Sequence, residues 1–227
     1  MKRGFTILAI VTGLLLSFAL YAALIAAPTE RTMGDVQRIF YYHVPSAWTA
    51  FLLFLINFVA SIAYLIRRDP KSDILALVSA EVGVVFCTVV LITGPIWARP
   101  VWGIWWTWDL RLTLTLVLWL IYVSYLVLRR FSTSSQTAKL AAVLAVFGAL
   151  DVPLVYFSIW FFRTQHPSPV IGNGGSLDPR MAHVLLINWA AFLCLGWLMG
   201  WTRYRLEVLK REVEEAQALE SLLEGAR

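Results

Sequence analysis

The chain has 227 residues, 59% of them hydrophobic and only 15% charged, a composition that excludes a soluble domain of this length. Its formal net charge is +5, but the basic residues punctuate long apolar runs instead of forming one patch, which argues against a nucleic-acid partner. The runs are also too continuous for the short alternating segments of a membrane β-barrel. The expected fold is therefore all-α, a polytopic membrane protein with six transmembrane helices, each near the ~20 residues that cross the hydrocarbon core.

The first predicted span runs from about Phe5 to Ala26. It is longer than the ~7–15-residue apolar core of a signal peptide, and further spans follow, so it reads as a retained helix. The connection Pro28–Ser46 carries Arg31, Arg38 and, in RIFYYHVPSAW, His43. Pro45 is placed to open the second span, Ala47–Ile66. RRDPKSD marks a helix stop and restart. The third span, Ile74–Pro95, contains Glu81 and Cys87. Next comes WARPVWGIWWTWD, where Trp97, Trp102, Trp105, Trp106 and Trp108 end on Asp109, with Arg99 and Arg111 at either side. Interfacial belts use one or two tryptophans per helix end; this density predicts a flat aromatic surface for a large, planar, apolar ligand.

Asp109 stands just before the fourth span, Leu110–Leu128, where it suits the N-cap; pairing with Arg111 or orienting an indole N–H are the alternatives. RRFSTSSQTAK is a polar loop, and the fifth span, Ala138–Trp160, carries Asp151 two residues before Pro153. Acids within spans are costly, and a helix–helix hydrogen bond is expected of both Glu81 and Asp151, with proton handling as the other option. Phe161–Met181 carries Arg163, His166 and Arg180, and His183 begins the sixth span, Ala182–Trp201. The tail Thr202–Arg227 is charged, with Leu206, Leu209, Val213, Ala216 and Leu219 at near-helical spacing. It reads as a solvated helical extension or a docking element for a cytoplasmic partner. Cys87 and Cys194 sit in apolar runs with no metal spacing and read as small buried residues.

Charge sidedness sets the expected orientation. All four lysines (Lys2, Lys71, Lys139, Lys210) fall at the N-terminus, in the second and fourth connections, or in the tail. Both termini are therefore expected in the cytoplasm, with Pro28–Ser46, Ile96–Asp109 and Phe161–Met181 outside. Residues 1–201 form the six-span domain, with the tryptophan-rich segment 97–113 at its outer face; residues 202–227 form a cytoplasmic helical tail.

The three histidines of the chain all belong to these outward segments or their borders. A single interfacial histidine is commonly a polar anchor. Two of them on separate segments, with an aromatic stretch between, suit a metal gripped from opposite sides. Imidazole serves iron, copper, zinc and nickel alike, but sites for bare zinc or copper draw on more ligands. Two histidines and an aromatic wall fit iron already held in a porphyrin, which needs only axial ligands. Arg38, Arg99, Arg111 and Arg163 are candidates to meet its propionates. Pro167 and Pro169 stiffen the chain around His166.

At this point a family resemblance becomes legible. WGIWWTWDLRLT, Trp102 to Thr113, resembles the WWD signature of the haem-handling superfamily of cytochrome c maturation. Within it the chain resembles the CcmC family of the System I pathway, because RIFYYHVPSAW and VPLVYFSIWFFRTQHPSP are similar to that family's two ligand-bearing outward segments. The similarity runs from about Gln37 through Pro169. It implies haem b as the bound group, His43 and His166 as its axial ligands, and Trp102, Trp105, Trp106, Trp108 and Asp109 as its platform. It also implies an inner-membrane protein that delivers haem to a periplasmic chaperone, CcmE, beside an ATPase, CcmA, and two membrane subunits, CcmB and CcmD. Phe161-Phe162, His183, the Gly172–Asp178 loop and the acidic tail depart from the family pattern.

A System II synthase component shares the WWD signature but is usually longer, with ligand histidines inside its spans. A quinone-linked cytochrome b would also need histidines within the spans. A haem-independent scaffold or transporter, with the tryptophans as an interfacial belt, is the remaining alternative. The chain carries no GxxxxGK[ST] loop, so ATP hydrolysis is not expected of it, and a binding and delivery protein is expected, not an enzyme.

Overall fold

The computed structural model describes residues 2–132, 134, 136–162, 164–167 and 177–225. Among these residues there is no strand. Six helical stretches are long and apolar enough to cross a membrane: Arg3–Ala26, Asp35–Arg67, Pro70–Trp102, Leu110–Phe131, Thr137–Phe161 and Pro179–Glu224. The chain is an all-α, multi-pass membrane protein, with its spans in the expected order.

Helix α1 (Lys2–Tyr21) runs into a π-helical turn, Ala22–Ala26. A 3-10 turn, Asp35–Ile39, leads into α2 (Phe40–Arg67). Then follow α3 (Pro70–Trp102), α4 (Leu110–Phe131), α5 (Thr137–Ala149), α6 (Asp151–Phe161) and α7 (Pro179–Gly225). α2 packs on α3, α5 and α7; α4 packs on α3, α5 and α6; α1 leans on α7.

The boundaries depart from the sequence expectation in three informative places. α2 starts at Phe40, ahead of Pro45, so this proline lies inside the helix and does not open it. α3 continues through Pro95 and Pro100 to Trp102. Each proline removes a backbone donor, yet the helix persists and stops only at Gly103. There φ of 80° turns the chain left-handed and the N–H bonds back to Arg99. The fifth span is broken at Leu150 into α5 and α6, beside Asp151 and Pro153.

In lipid, helix association rests on close packing and polar contacts more than on the hydrophobic effect. Gly83 shows the closeness: a Cβ placed there would stand 2.7 Å from Phe54 Cε1, whose ring stacks on Tyr122 at 3.9 Å. Alanines at 50, 80, 141 and 145 line the same core. Ile7, Leu14, Ile25, Leu55 and Phe147 are exposed on the outside of the bundle, as lipid-facing residues should be.

One end of the bundle is tied by charge. Asp73 of α3 receives both guanidinium nitrogens of Arg129 from α4, and Nη2 of Arg211 from α7 at 2.7 Å. Glu207 joins Arg211 at 3.2 Å to Arg203 at 3.1 Å. Arg203 reaches Glu81 at 2.7 Å, the helix–helix link expected of that acid. α7 thus runs unbroken past Trp201, and its next turns are fastened to α3 and α4. Asp151 behaves differently: it is buried, and among the described residues its Oδ2 has no hydrogen-bond partner. Cys87 is buried and Cys194 half-buried; both are free thiols.

Candidate functional site

At the opposite end, α2, α3, α4, α6 and the start of α7 surround a cavity of about 520 Å³, within the ~300–1,000 Å³ typical of cofactor-sized sites. Most of its lining is apolar: Val44, Ala47 and Phe51 from α2, Val90 and Leu91 from α3, Val155 and Ile159 from α6. Into this space come His43, His166, Arg111, Trp97, Trp102 and Trp106. Two segments more than a hundred residues apart in sequence thereby meet.

The two imidazoles face each other with centroids 6.4 Å apart and planes inclined by 31°. At a metal–imidazole nitrogen distance of about 2 Å, a metal gripped from both sides leaves the ring centroids about 6 Å apart. The hydrogen bonds settle which nitrogens are free. His166 Nδ1 lies 2.9 Å from the Pro167 carbonyl, which only accepts, so Nδ1 carries the proton. His43 Nδ1 lies 2.9 Å from Thr93 Oγ1, and that hydroxyl already spends its proton on the Val89 carbonyl at 2.7 Å. Thr93 must therefore accept, and His43 is also protonated on Nδ1. Both rings keep a bare Nε2, the form that ligates a metal while the other nitrogen is held by an oxygen. Burial, with the nearby charge of Arg111 adding to it, pushes His166 down to about 4, so its ring is neutral at pH 7.

Thr93 has no distinguishing mark in the sequence. A threonine bonded to the carbonyl four residues back is ordinary inside an apolar helix, and only the fold reveals that it faces His43. Gly94 beside it lies against the ring: a Cβ there would stand 3.4 Å from His43 Cε1, an ordinary van der Waals contact. With His43 as a haem ligand, as the family resemblance implies, Thr93→Val is expected to free its ring and weaken haem binding about 10–100-fold, the usual cost of losing an outer partner of a ligating histidine. Thr93→Ser should restore it. Haem titration followed by absorbance checks both, and equal affinity in Thr93→Val would refute the role.

The tryptophan cluster is neither flat nor single. Trp97 and Trp102 stand on α3 with rings 5.2 Å apart at 85°; Trp106 and Trp108 are 5.8 Å apart at 75°. These are edge-to-face pairs, the arrangement that the aromatic quadrupole favours, where the sequence suggested one plane. Trp97, Trp102 and Trp106 line the cavity, whereas Trp105 and Trp108 are 59% and 76% exposed and do not.

Two donors in the cavity wall stand without partners among the described residues: Arg111 Nη1 and Trp106 Nε1, both buried. A buried donor left unsatisfied is costly, so both suit an acidic group arriving with a ligand. Arg38 is engaged elsewhere: it binds Asp35 at 3.0 Å and the Ala23 carbonyl at 2.8 Å, and does not line the cavity. Arg99 bonds to the Gly103 carbonyl, and His183, exposed, turns its Nδ1 to the Pro179 carbonyl at 2.6 Å. Arg163 lies outside the described residues. Asp109 caps α4, with Oδ1 accepting from the Leu112 N–H at 3.0 Å, and its Oδ2 reaches the segment that bears His166.

Porphyrin-held iron fits these features: an apolar space of the right order, two neighbouring imidazoles each with a bare Nε2, and unpartnered donors in the wall. Among the described residues, no group of three or more histidine, cysteine or acidic residues gathers as a bare metal ion would need.

Residues 1–219 match the family described as Heme exporter protein C. A protein of that name from Bradyrhizobium diazoefficiens is 36% identical over 217 residues, covering 94% of this chain and 82% of the relative. Its namesake from Escherichia coli K12 is 30% identical over 202 residues, covering 88% and 82%. A ccmC-like mitochondrial protein of cytochrome c biosynthesis from Arabidopsis thaliana is 32% identical over 196 residues, covering 86% and 75%.

Proposed function

We propose, for a chain that belongs to the Heme exporter protein C family, that it holds haem b in the cavity between α2, α3, α4 and α6 and hands it to a haem chaperone for cytochrome c maturation. The observation that carries this reading is the facing pair His43 and His166, 6.4 Å apart, each with its Nδ1 occupied and its Nε2 bare.

In this reading His43 and His166 supply the axial nitrogens. Trp102 and Trp106 lie along the macrocycle, and Arg111 and Trp106 donate to a propionate through charge-assisted and neutral hydrogen bonds. The apolar walls exclude water from the iron. Trp105 and Trp108, both exposed, are the surface offered to the chaperone; Arg38 holds the first outward segment to the π-helical turn that follows α1 and acts on the site only through that segment. The lysine distribution supports cytoplasmic termini, an inner-membrane location and a periplasmic site. Residues 1–201 do the haem handling. The tail beyond them is available to the cytoplasmic side of an assembly with a CcmA-type ATPase and CcmB- and CcmD-type membrane subunits. The chain acts by binding and release, not by catalysis.

Absorption spectroscopy tests the core of the reading. Protein purified from cells with intact haem synthesis should show a Soret band with the low-spin features of two nitrogen ligands, and mixing with an apo-chaperone of the CcmE type should move the haem to that protein. A preparation without a Soret band under these conditions would overturn it.

A further inference from the structure

His43 and His166 are held by supports of unequal stiffness. His43 stands in the first turn of α2, and its ring is fastened to α3 through Thr93. His166 stands on no helix: α6 has ended at Phe161, and Phe162 is extended at φ −131° and ψ 151°. Its backbone is fixed instead by a short relay. The Thr164 hydroxyl and the Gln165 N–H donate to Asp109 Oδ2 at 2.9 and 3.3 Å, and the His166 N–H donates to Thr164 Oγ1 at 3.1 Å. Asp109 is itself immobilised, because its other oxygen caps α4. A third donor, Thr107 Oγ1, approaches Oδ2 at 3.4 Å. The carboxylate is thus spent on protein donors and acts on the site through His166.

Resting on the assignment of His43 and His166 as iron ligands, we infer that Asp109 is the positioning residue for His166, a latch that seats the second ligand when closed and releases it from the iron when opened, while His43 stays in place. The acid at the end of the tryptophan cluster then governs retention of the cargo without touching it. Thr164 is the middle link of the latch, since its hydroxyl both donates to Asp109 and accepts from His166.

Three variants of the full chain, purified with haem, test this. Thr164→Val keeps the side chain's shape and leaves the α4 cap intact; Asp109→Asn keeps the cap acceptor but turns N–H groups toward Gln165; Thr164→Ser keeps the hydroxyl. Thr164→Val and Asp109→Asn should shift the spectrum from low-spin toward five-coordinate high-spin. They should also speed haem loss to apomyoglobin by about tenfold, a factor equivalent to about 1.4 kcal/mol, while Thr164→Ser behaves as wild type. A low-spin spectrum with unchanged release in Thr164→Val overturns the latch, whatever Asp109→Asn does through the helix cap. A wild-type protein without haem, or with haem that survives loss of both histidines, overturns the underlying ligand assignment instead.

Discussion

Replacing His43 and His166 together by alanine is expected to abolish haem binding, leaving purified protein with no Soret band. These two rings are the imidazoles of the cavity, paired at 6.4 Å with their Nδ1 atoms engaged and each Nε2 bare. Loss of an outer partner of a ligating histidine costs about 10–100-fold in affinity, and loss of the ligand itself costs more. The single variants should differ. His166→Ala leaves His43 held by Thr93 and should retain some haem in a five-coordinate state. His43→Ala removes the ligand on the stiffer support and should retain less. His183→Ala serves as the control and should match wild type, because that ring is exposed and turned to the Pro179 carbonyl. An unchanged Soret band in the double variant would refute the assignment.

Asp73→Asn is expected to be the most damaging single change to the fold. Asp73 and Arg129 have side chains only 7% and 9% exposed, and Asp73 also takes Arg211. Removing one partner of a buried ion pair typically costs about 3–5 kcal/mol, since the remaining charge is left uncompensated. Here two guanidinium groups lose their shared carboxylate, and α3, α4 and α7 lose their common tie. Thermal unfolding in detergent should show a large drop in midpoint for Asp73→Asn. A double change, Asp73→Leu with Arg129→Leu, should recover part of it by removing both desolvation costs. A midpoint within error of wild type in Asp73→Asn would show that the network contributes nothing net.

Much of this architecture was legible in the chain, for physical reasons that can be named. Spans are long and apolar, so their number and order survive any error of a few residues. The meeting of His43 with His166 was expected from the charge sidedness of the segments that carry them and from the family resemblance. What escaped notice depends on register and packing. Helix α3 runs through Pro95 and Pro100, which local proline rules do not anticipate. That extension places Trp97 and Trp102 on a rigid helix and sets the tryptophans edge to face, where composition alone suggested a flat plate. Thr93 and Thr164 were invisible because a threonine's partner is decided by which residue the fold brings opposite it. The break at Leu150 had a sequence signal in Asp151 and Pro153, but nothing in that signal fixed the burial of the acid.

Helix α7 has one further consequence. It is a single rod of 47 residues, about 70 Å long at 1.5 Å per residue. Met181, near one tip, forms part of the cavity wall, and Arg211, about 45 Å along the same axis, grips Asp73. No break in the helix separates them, so the charged tie and the cavity wall share one rigid axis. The arm beyond Arg211 and the cavity wall at Met181 are therefore parts of one continuous helix, joined without an intervening loop.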